Sequence, residues 1–252
     1  MTPITFNHIH RAGQVVSETK EYKHIHDSEF LSRYDSNLII WKCVPTLQLF
    51  KEIEVTLRNF HLQKNQKHLK FIFPPNERII NELNTYLLSN NYNIGFLELY
   101  SINPKDFSAR TNNEVVVQIV SEENLEDFLQ LQFQEDLQFG ESFAKEKQSY
   151  LKKQSNKDNV QYIIAYDQIT NKPIGSVIIF IEEDTVEIDN LFVLDTYQRK
   201  GVGGTIQHFV MNQFHNKRII LVADGEDTPR EMYQRQNYRF EGFQFEVLKV
   251  EE

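Results

Sequence analysis

Residues Thr185 to Phe214 read TVEIDNLFVLDTYQRKGVGGTIQHFVMNQF. The first ten alternate charged and apolar side chains before becoming apolar throughout, which predicts a β-strand that enters a core. A polar turn follows, and then the glycine-rich run Gln198 to Gly204. A helix is predicted to begin within this run, because apolar residues then recur at every fourth position: Val202, Ile206, Val210 and Phe214.

The order of strand, glycine loop and helix has a chemical use. The first turn of a helix has backbone N–H groups without intrahelical partners and carries the positive end of the helix dipole, so it binds phosphate. Gly201, Gly203 and Gly204 would each cost about 1 kcal/mol of helix stability against alanine. Three together indicate a close approach to the backbone, and Arg199 and Lys200 add positive charge. The alternative is a tight turn without a ligand.

The spacing fits neither G-x-x-x-x-G-K-[ST] nor G-x-G-x-x-G followed by an acidic residue. Gln198-x-x-Gly201-x-Gly203 instead resembles the Q/R-x-x-G-x-G/A motif of the GCN5-related N-acetyltransferase (GNAT) superfamily. The resemblance extends back through the strand 187–193 and forward to 233–243, which is similar to the family's closing L-Y-x-x-x-G-F segment. It covers about residues 114–252.

The resemblance implies that acetyl-CoA is the cosubstrate and that the loop amides hold its pyrophosphate. No metal site is implied. The residues expected to bind the coenzyme are Leu191, Phe192, Val193, Gln198, Arg199, Lys200, Gly201, Val202, Gly203, Gly204 and Thr205.

Acetyl transfer to an amine needs a base, because an alkyl amine is protonated at pH 7, and a proton for the departing thiolate. The resemblance implies Glu187 as the base, acting through water in many relatives, and Tyr233 as the acid. Alternation along the strand places Glu187 and Asp189 on one face with Leu191 and Val193, so Asp189 is a second candidate for the base. The alternative for Glu187 and Asp189 is that both are solvent-facing charges at the end of a strand. The alternative for Tyr233 is that it is an aromatic residue of the core.

One loop departs from the family pattern. Where many relatives have Asn before the last helix, this chain has Glu226, within Asp224-Gly225-Glu226-Asp227. A carboxylate cannot donate the hydrogen bond that Asn provides, so coenzyme contacts from this loop are in doubt. The added charge favours a cationic acceptor, and a solvated acidic loop is the alternative.

The N-terminal half repeats the same order of elements. An apolar strand from Asn37 precedes a helix opened by Pro45, and a strand over 69–73, a helix over about 79–89 and a strand over 94–102 follow. This order resembles a degenerate copy of the GNAT fold. Val44-Pro45-Thr46 contains no glycine where the loop should be, so this half is not expected to bind acetyl-CoA.

The fold class expected is α/β of the α+β type. It combines a GNAT fold, with a mixed and mostly antiparallel twisted sheet flanked by helices, and a smaller degenerate GNAT-like α/β domain before it. The boundary falls in the polar segment 103–113, which lacks apolar periodicity, and gives domains 1–112 and 113–252. Strands at 160–166, 173–181 and 185–194 suit an antiparallel meander.

The first 36 residues are polar and are left without a fold assignment. His8, His10, His24 and His26 form two H-x-H pairs, a spacing that metal sites use on strands. No third ligand type stands nearby, so surface or hairpin histidines are the favoured interpretation and no metal is predicted.

Composition limits the classes of partner. The chain has 252 residues and a formal net charge of -9, with no visible basic patch, which argues against nucleic acid. No apolar run approaches the roughly 18 residues that cross a membrane, and the start lacks a signal sequence, so a cytoplasmic location is expected. Cys43, the single cysteine, lies in an apolar run and is expected to be buried.

The sequence therefore predicts an acetyl-CoA-dependent N-acetyltransferase that acts on a primary amine of a small molecule or peptide. A non-catalytic acyl-CoA-binding sensor or interaction protein with the same fold is the alternative. Either a monomer or a homodimer is compatible with the sequence. A cationic acceptor is suggested by the carboxylates expected near the site, which are Glu187, Asp189, Asp224, Glu226 and Asp227.

Overall fold

A computed structural model describes residues 3–225 and 229–251. The strands are β1 Gln14–Glu18, β2 Tyr22–His26, β3 Leu38–Trp41, β4 His68–Ile72, β5 Asn93–Ile102, β6 Val115–Ile119, β7 Val160–Asp167, β8 Pro173–Ile181, β9 Thr185–Val193, β10 Arg218–Asp224 and β11 Arg239–Val250. The helices are α1 Leu47–Leu62, α2 Asn81–Ser89, α3 Leu125–Asp136, α4 Glu141–Gln154, α5 Val202–Gln213 and α6 Pro229–Arg235.

The chain divides into two compact units, each built from several segments. Unit 1 contains Met1–His10, Tyr100–Val222 and Pro229–Phe240, and unit 2 contains Arg11–Leu99, Ala223–Thr228 and Glu241–Glu252. Segment 103–113, expected to be a linker, belongs to unit 1. The division into domains 1–112 and 113–252 stays a prediction.

Unit 2 contains the repeated order of strand and helix that the sequence predicts. β3 and β4 are parallel and are joined through α1, while β2 is antiparallel to β3, and β11 is antiparallel to β4. Thr46 caps α1 by accepting a hydrogen bond from the backbone N–H of Leu49. The core of this unit is rich in aromatic residues, including Trp41, Phe50 and Phe71.

Unit 1 carries a mixed sheet. β6, β7, β8 and β9 form an antiparallel meander, and β10 is parallel to β9, to which it is joined through α5. On one face α3 and α4 cover β7 and β8, where Phe128 and Leu151 pack against Tyr162 and Ile178. The mixed, mostly antiparallel sheet flanked by helices agrees with the predicted fold class.

A β-bulge changes the side-chain alternation near the end of β9. Ser176 pairs with Phe192 and Ile178 pairs with Asp189, so β9 has one more residue than β8 in this interval. Asn190 adopts a φ of 48°, in the left-handed region that Asn tolerates better than most residues. Its side chain donates to the buried Gln132, which in turn donates to Ser176.

The bulge overturns the prediction that Glu187, Asp189, Leu191 and Val193 share one face. Glu187 pairs with Phe180, which belongs to the cluster under α3 and α4. Val193 pairs with Gly175, whose added Cβ would contact Ile206 of α5. Because these paired positions lie on opposite faces of β8, Glu187 faces α3 and α4 while Val193 faces α5.

The expectation that Cys43 is buried is wrong. Cys43 is exposed, because it follows the end of β3 at Trp41. His24 and His26 lie on a strand of the β1–β2 hairpin, one of the two settings expected for them, and they are buried with their rings edge-on against Phe60. Across residues 3–225 and 229–251, no helix is both long enough and apolar enough to cross a membrane.

Candidate functional site

A cavity of about 810 Å³ lies within unit 1. Its walls come from the end of β9, the glycine loop, the start of α5, α6 and the segment 108–110. The residues that line it are Ser108, Ala109, Arg110, Leu191, Val193, Tyr197, Gln198, Arg199, Gly201, Val202, Gly203, Gly204, Gln207, Met232, Tyr233, Arg235 and Gln236.

The end of β9 contributes a strand edge to this cavity. Among the described residues, β10 pairs with β9 as far as Leu221 and Ile188, whereas β9 continues to Val193. Leu191 and Val193 lie beyond the last pair and line the cavity. A strand edge of this kind offers backbone donors and acceptors to an extended ligand.

The glycines of the loop have different neighbours. Gly201 has a φ of 86°, and a Cβ there would lie 3.0 Å from the carbonyl oxygen of Thr111. A Cβ on Gly204 would overlap the carbonyl oxygen of Arg110. A Cβ on Gly203 would meet only Val193, at 3.9 Å. Gly201 and Gly204 therefore allow close packing of the chain's own backbone, and Gly203 leaves space at the cavity.

Segment 108–112 is held against the start of α5 by hydrogen bonds. The backbone N–H of Asn112 donates to Thr205 Oγ1 at 2.8 Å, and Asn112 Nδ2 donates to the carbonyl of Lys200 at 3.1 Å. The Thr205 hydroxyl also donates to the carbonyl of Gly201. Thr205 thus holds this segment in place and does not line the cavity.

Positive charge surrounds the cavity. Arg110, Arg199 and Arg235 all line it, and all three are exposed. Arg235 also forms an exposed ion pair with Glu231, which is weak because water screens it. Together with the N-terminal end of α5, these side chains favour an anionic ligand.

A smaller cavity of about 440 Å³ also borders Leu191, Phe192 and Val193. Its other lining residues are Gln134, Glu135, Gln138, Asp195 and Gln198. Gln138 donates to Glu135, and Gln198 donates to Asp195. The two carboxylates make this cavity acidic, in contrast to the larger one.

Comparison with known proteins connects this geometry to a family. Residues 158–240 match the family model described as "Acetyltransferase (GNAT) domain", and the match contains β7, β8, β9, the glycine loop, α5 and α6. This part of the chain is a GNAT domain. Residues 4–100 match the model described as "Domain of unknown function (DUF5613)".

Solved structures agree with a two-domain GNAT protein. A functionally unknown conserved protein from Staphylococcus epidermidis is 32% identical over 99% of this chain and 98% of its own, with a TM-score of 0.90, so the two are members of one family. A GCN5-related N-acetyltransferase from Sphaerobacter thermophilus shares 10% identity over 84% and 72% of the two chains, with a TM-score of 0.62. A tandem GNAT protein from the clavulanic acid biosynthesis pathway shares 7% over 84% and 75%, with a TM-score of 0.52.

The last two similarities show the fold alone. No curated protein matches the chain. The GNAT domain supports an acyltransferase class of activity.

Within the GNAT domain, Tyr233 lies at the larger cavity. Its ring centroid is 5.1 Å from that of Tyr100 and 5.3 Å from that of Tyr238. Burial raises the pKa of Tyr233 to about 12, so its phenol is protonated at neutral pH. It is therefore in the form that a proton donor needs.

Glu187, expected to be the base or else a solvent-facing charge, lies in a buried position. It is only 6% exposed, so it is not a solvent-facing charge, and it does not line either cavity. Its Oε2 accepts a hydrogen bond of 2.6 Å from the backbone N–H of His10. Asp189 is half-buried on the same face. The assignment of either residue as the base stays a prediction.

The cavity contains most of the residues expected to bind the coenzyme. Leu191, Val193, Gln198, Arg199 and the 201–204 loop line it, while Phe192, Lys200 and Thr205 do not. Gln198 donates to the carbonyl of Val193 and to Asp195, so it also closes the turn before the loop.

Other lining residues were missed from the sequence, notably Arg110 and Arg235. Arg110 lies in a polar segment without apolar periodicity. Its positive charge, directly after Ser108-Ala109, is the one feature of the sequence that could have suggested a role in binding an anion. Arg235 lies on α6 two positions after Tyr233. Side chains two positions apart on a helix do not face the same side, so the motif alone did not predict that both line the cavity.

The acidic loop is only partly covered by the structure. Asp224 is exposed at the end of β10 and belongs to unit 2. Glu226 and Asp227 lie outside the described residues. Among the residues that are described, no group of three or more His, Cys, Asp or Glu side chains is placed to hold a metal ion.

Proposed function

We propose that this protein is an acetyl-CoA-dependent N-acetyltransferase that transfers an acetyl group to a primary amine of a small molecule or peptide. The observation that carries the proposal is one cavity bordered by the edge of β9, the N-terminal end of α5 and the protonated Tyr233.

The larger cavity suits the coenzyme in size and charge. Its volume of about 810 Å³ lies in the range of ligand sites. The pyrophosphate is assigned to the start of α5, where Gly203 leaves the backbone accessible. Arg110, Arg199 and Arg235 add positive charge for the phosphates. The amide groups of the pantetheine arm are complementary to the edge of β9 at Leu191 and Val193.

The reaction requires the amine to lose a proton and to attack the thioester carbonyl, forming the C–N bond as the C–S bond breaks. Glu187 is the proposed base. Leu191, which lines the cavity, is four residues away along β9 and therefore at most about 13 Å away along the strand, so a water relay is part of the proposal. Asp189 is the second candidate. Tyr233 then protonates the departing thiolate.

The acceptor is proposed to be a cationic amine. Glu135 and Asp195 line the smaller cavity, which borders the end of β9. Glu187 and Asp189 lie on β9 and face α3 and α4. Negative potential raises the local concentration of a cation, and salt weakens this effect.

The test is release of free thiol from acetyl-CoA in the presence of an amine panel. Polyamines and lysine-like amines are expected to react faster than acidic amino acids, and kcat/KM is expected to fall as ionic strength rises. Preference for an anionic acceptor would contradict the cationic assignment, and the absence of thiol release with every amine would contradict the transferase.

A binding-only role is the second candidate, because Glu187 is buried and does not line the larger cavity. An acyl-CoA sensor would bind acetyl-CoA by calorimetry without releasing thiol. The same panel, run beside a calorimetric titration, separates the two candidates.

A further inference from the structure

The N-terminal segment, residues 3–10, is packed into unit 1. Ile4 and Phe6 are buried, with exposed fractions of 7% and 5%. A short helical turn over Phe6–His8 is capped by Thr5, whose backbone N–H donates to Nδ1 of His8. These contacts hold the segment in place up to His10.

His10 contacts both members of one cross-strand pair. Glu187 of β9 lies directly opposite Phe180 of β8. The imidazole of His10 stacks on Phe180, with ring centroids 3.9 Å apart and an interplanar angle of 14°. The backbone N–H of the same residue donates to Glu187 Oε2 at 2.6 Å. The stacked ring therefore fixes the position of the amide that binds the carboxylate.

We propose that His10 is a positioning residue, whose backbone amide orients the Glu187 carboxylate for proton transfer and whose ring keeps that amide in place. The proposal rests on the function proposed above. A buried carboxylate is costly unless hydrogen bonds compensate it, and a donor at 2.6 Å restricts its rotation. A residue far away in the sequence thus becomes part of the catalytic arrangement of the GNAT domain.

Two substitutions at one position separate the amide from the ring. His10→Pro removes the N–H donor, because proline has none. His10→Ala keeps the N–H and removes only the ring. Loss of a hydrogen bond to a charged group changes a rate or equilibrium constant by about tenfold or more. The kcat is therefore expected to fall about tenfold in His10→Pro. A fall of about twofold is expected in His10→Ala, and the KM for acetyl-CoA is expected to change in neither.

The second measurement is independent of turnover. The ¹³C signal of the Glu187 side-chain carboxyl, assigned with Glu187→Gln, is compared at one neutral pH in the wild type and both variants. The signal is expected to move in His10→Pro and to stay near its wild-type position in His10→Ala. Phe6→Ala removes a buried side chain that anchors the N-terminal segment. It replaces His10→Pro in this measurement if His10→Pro does not fold. It is expected to move the signal in the same direction.

The outcomes are distinct. An unchanged carboxyl signal in both His10→Pro and Phe6→Ala overturns the contact. A moved signal with unchanged kcat, or equal losses of kcat and melting temperature in His10→Pro and His10→Ala, overturns positioning in favour of a structural tether. If the wild type releases no thiol with any amine, the proposed function fails and positioning fails with it, although the carboxyl signals still differ.

Discussion

A side chain on Gly204 would occupy the position of the carbonyl oxygen of Arg110. The glycine loop is therefore shaped by the chain's own segment 108–112 as well as by any ligand. Gly203, the neighbouring residue, has no such constraint, because a Cβ there would make only an ordinary contact with Val193. The two adjacent glycines are expected to respond in opposite ways to the same substitution.

Gly203→Ala is expected to raise stability and weaken coenzyme binding. Alanine in a helix is favoured over glycine by up to about 1 kcal/mol, and the added methyl group intrudes on the proposed pyrophosphate site. Gly204→Ala, the matched control, is expected to lower the melting temperature because Arg110 must move. Thermal melting with and without acetyl-CoA measures both effects. Equal coenzyme affinity in Gly203→Ala and the wild type would contradict the phosphate-loop assignment, and the bulkier Gly203→Glu should abolish binding.

Tyr233→Phe is expected to lower kcat about 100-fold while leaving the dissociation constant of acetyl-CoA nearly unchanged, because only the proton donor is lost. Tyr238→Phe is the control. It removes a hydrogen bond of 2.8 Å to Gln207, which costs about 1 kcal/mol of stability, and should leave kcat within about twofold. Since the pKa of Tyr233 is about 12, this residue should cause no loss of activity between pH 7 and pH 10. Equal kcat in the wild type and Tyr233→Phe would remove Tyr233 from the mechanism.

One acetyl-CoA is expected to bind per chain. In unit 2 the start of α1 has Val44-Pro45-Thr46 in place of glycines, and the Thr46 side chain already accepts the N–H of Leu49. That helix end therefore has less capacity for a phosphate than the start of α5. Calorimetric titration measures the stoichiometry, and a value of two would show that unit 2 also binds the coenzyme.

Asn190→Gly is expected to cost about 1 kcal/mol of unfolding free energy, because it loses the hydrogen bond to Gln132 but accepts the left-handed backbone. Asn190→Ala should cost roughly 1–2 kcal/mol more, since alanine also disfavours that conformation. Urea denaturation of the two variants isolates the backbone contribution. Equal losses would show that the bulge relaxes to another conformation.

Acid is expected to destabilise unit 2 through its buried histidines. Burial, with smaller contributions from His61 and His26, lowers the pKa of His24 to about 4, and burial lowers that of His68 to about 4. In the unfolded chain a histidine titrates near pH 6.5. The unfolded state therefore binds more protons between pH 6.5 and pH 4, so stability is full above pH 6.5 and falls as the pH decreases through this window.

His24→Phe tests this expectation. His24 Nε2 is buried and has no hydrogen-bond partner among the described residues, so an apolar ring should be tolerated at neutral pH. The difference in melting temperature between pH 7 and pH 4.5 should be smaller in the variant. An identical pH dependence would mean that His24 does not contribute to acid destabilisation.

The sequence predicts the meander well for a simple physical reason. β7, β8 and β9 are apolar runs separated by short polar turns, so their bounds follow from local patterning. The bulge could not be predicted in this way. Asn190 is stabilised in its left-handed conformation by Gln132, a residue 58 positions earlier. The side chains beyond Asn190 therefore face the opposite side from that expected by strict alternation.

The candidate site shows the same limit. Its loop and Tyr233 are recognisable because their residue types and spacing carry the chemistry. Segment 108–110 lines the cavity without a motif, because its position depends on the hydrogen bonds of Asn112 and on the absence of a side chain at Gly204. The contact between His10 and Glu187 joins residues 177 positions apart and is likewise invisible in local patterns.

The division of the chain has a practical consequence for protein engineering. Expressing residues 113–252 alone would omit His10, which contacts Glu187, and residues 108–110, which line the cavity. It would also retain Glu241–Glu252, which belongs to unit 2. Each half would then expose surfaces that the other half's sequence normally covers, so truncation at the predicted boundary should give insoluble or inactive fragments. Any transplanted or truncated form of the GNAT domain should therefore keep residues 3–10 and 108–110 together with it.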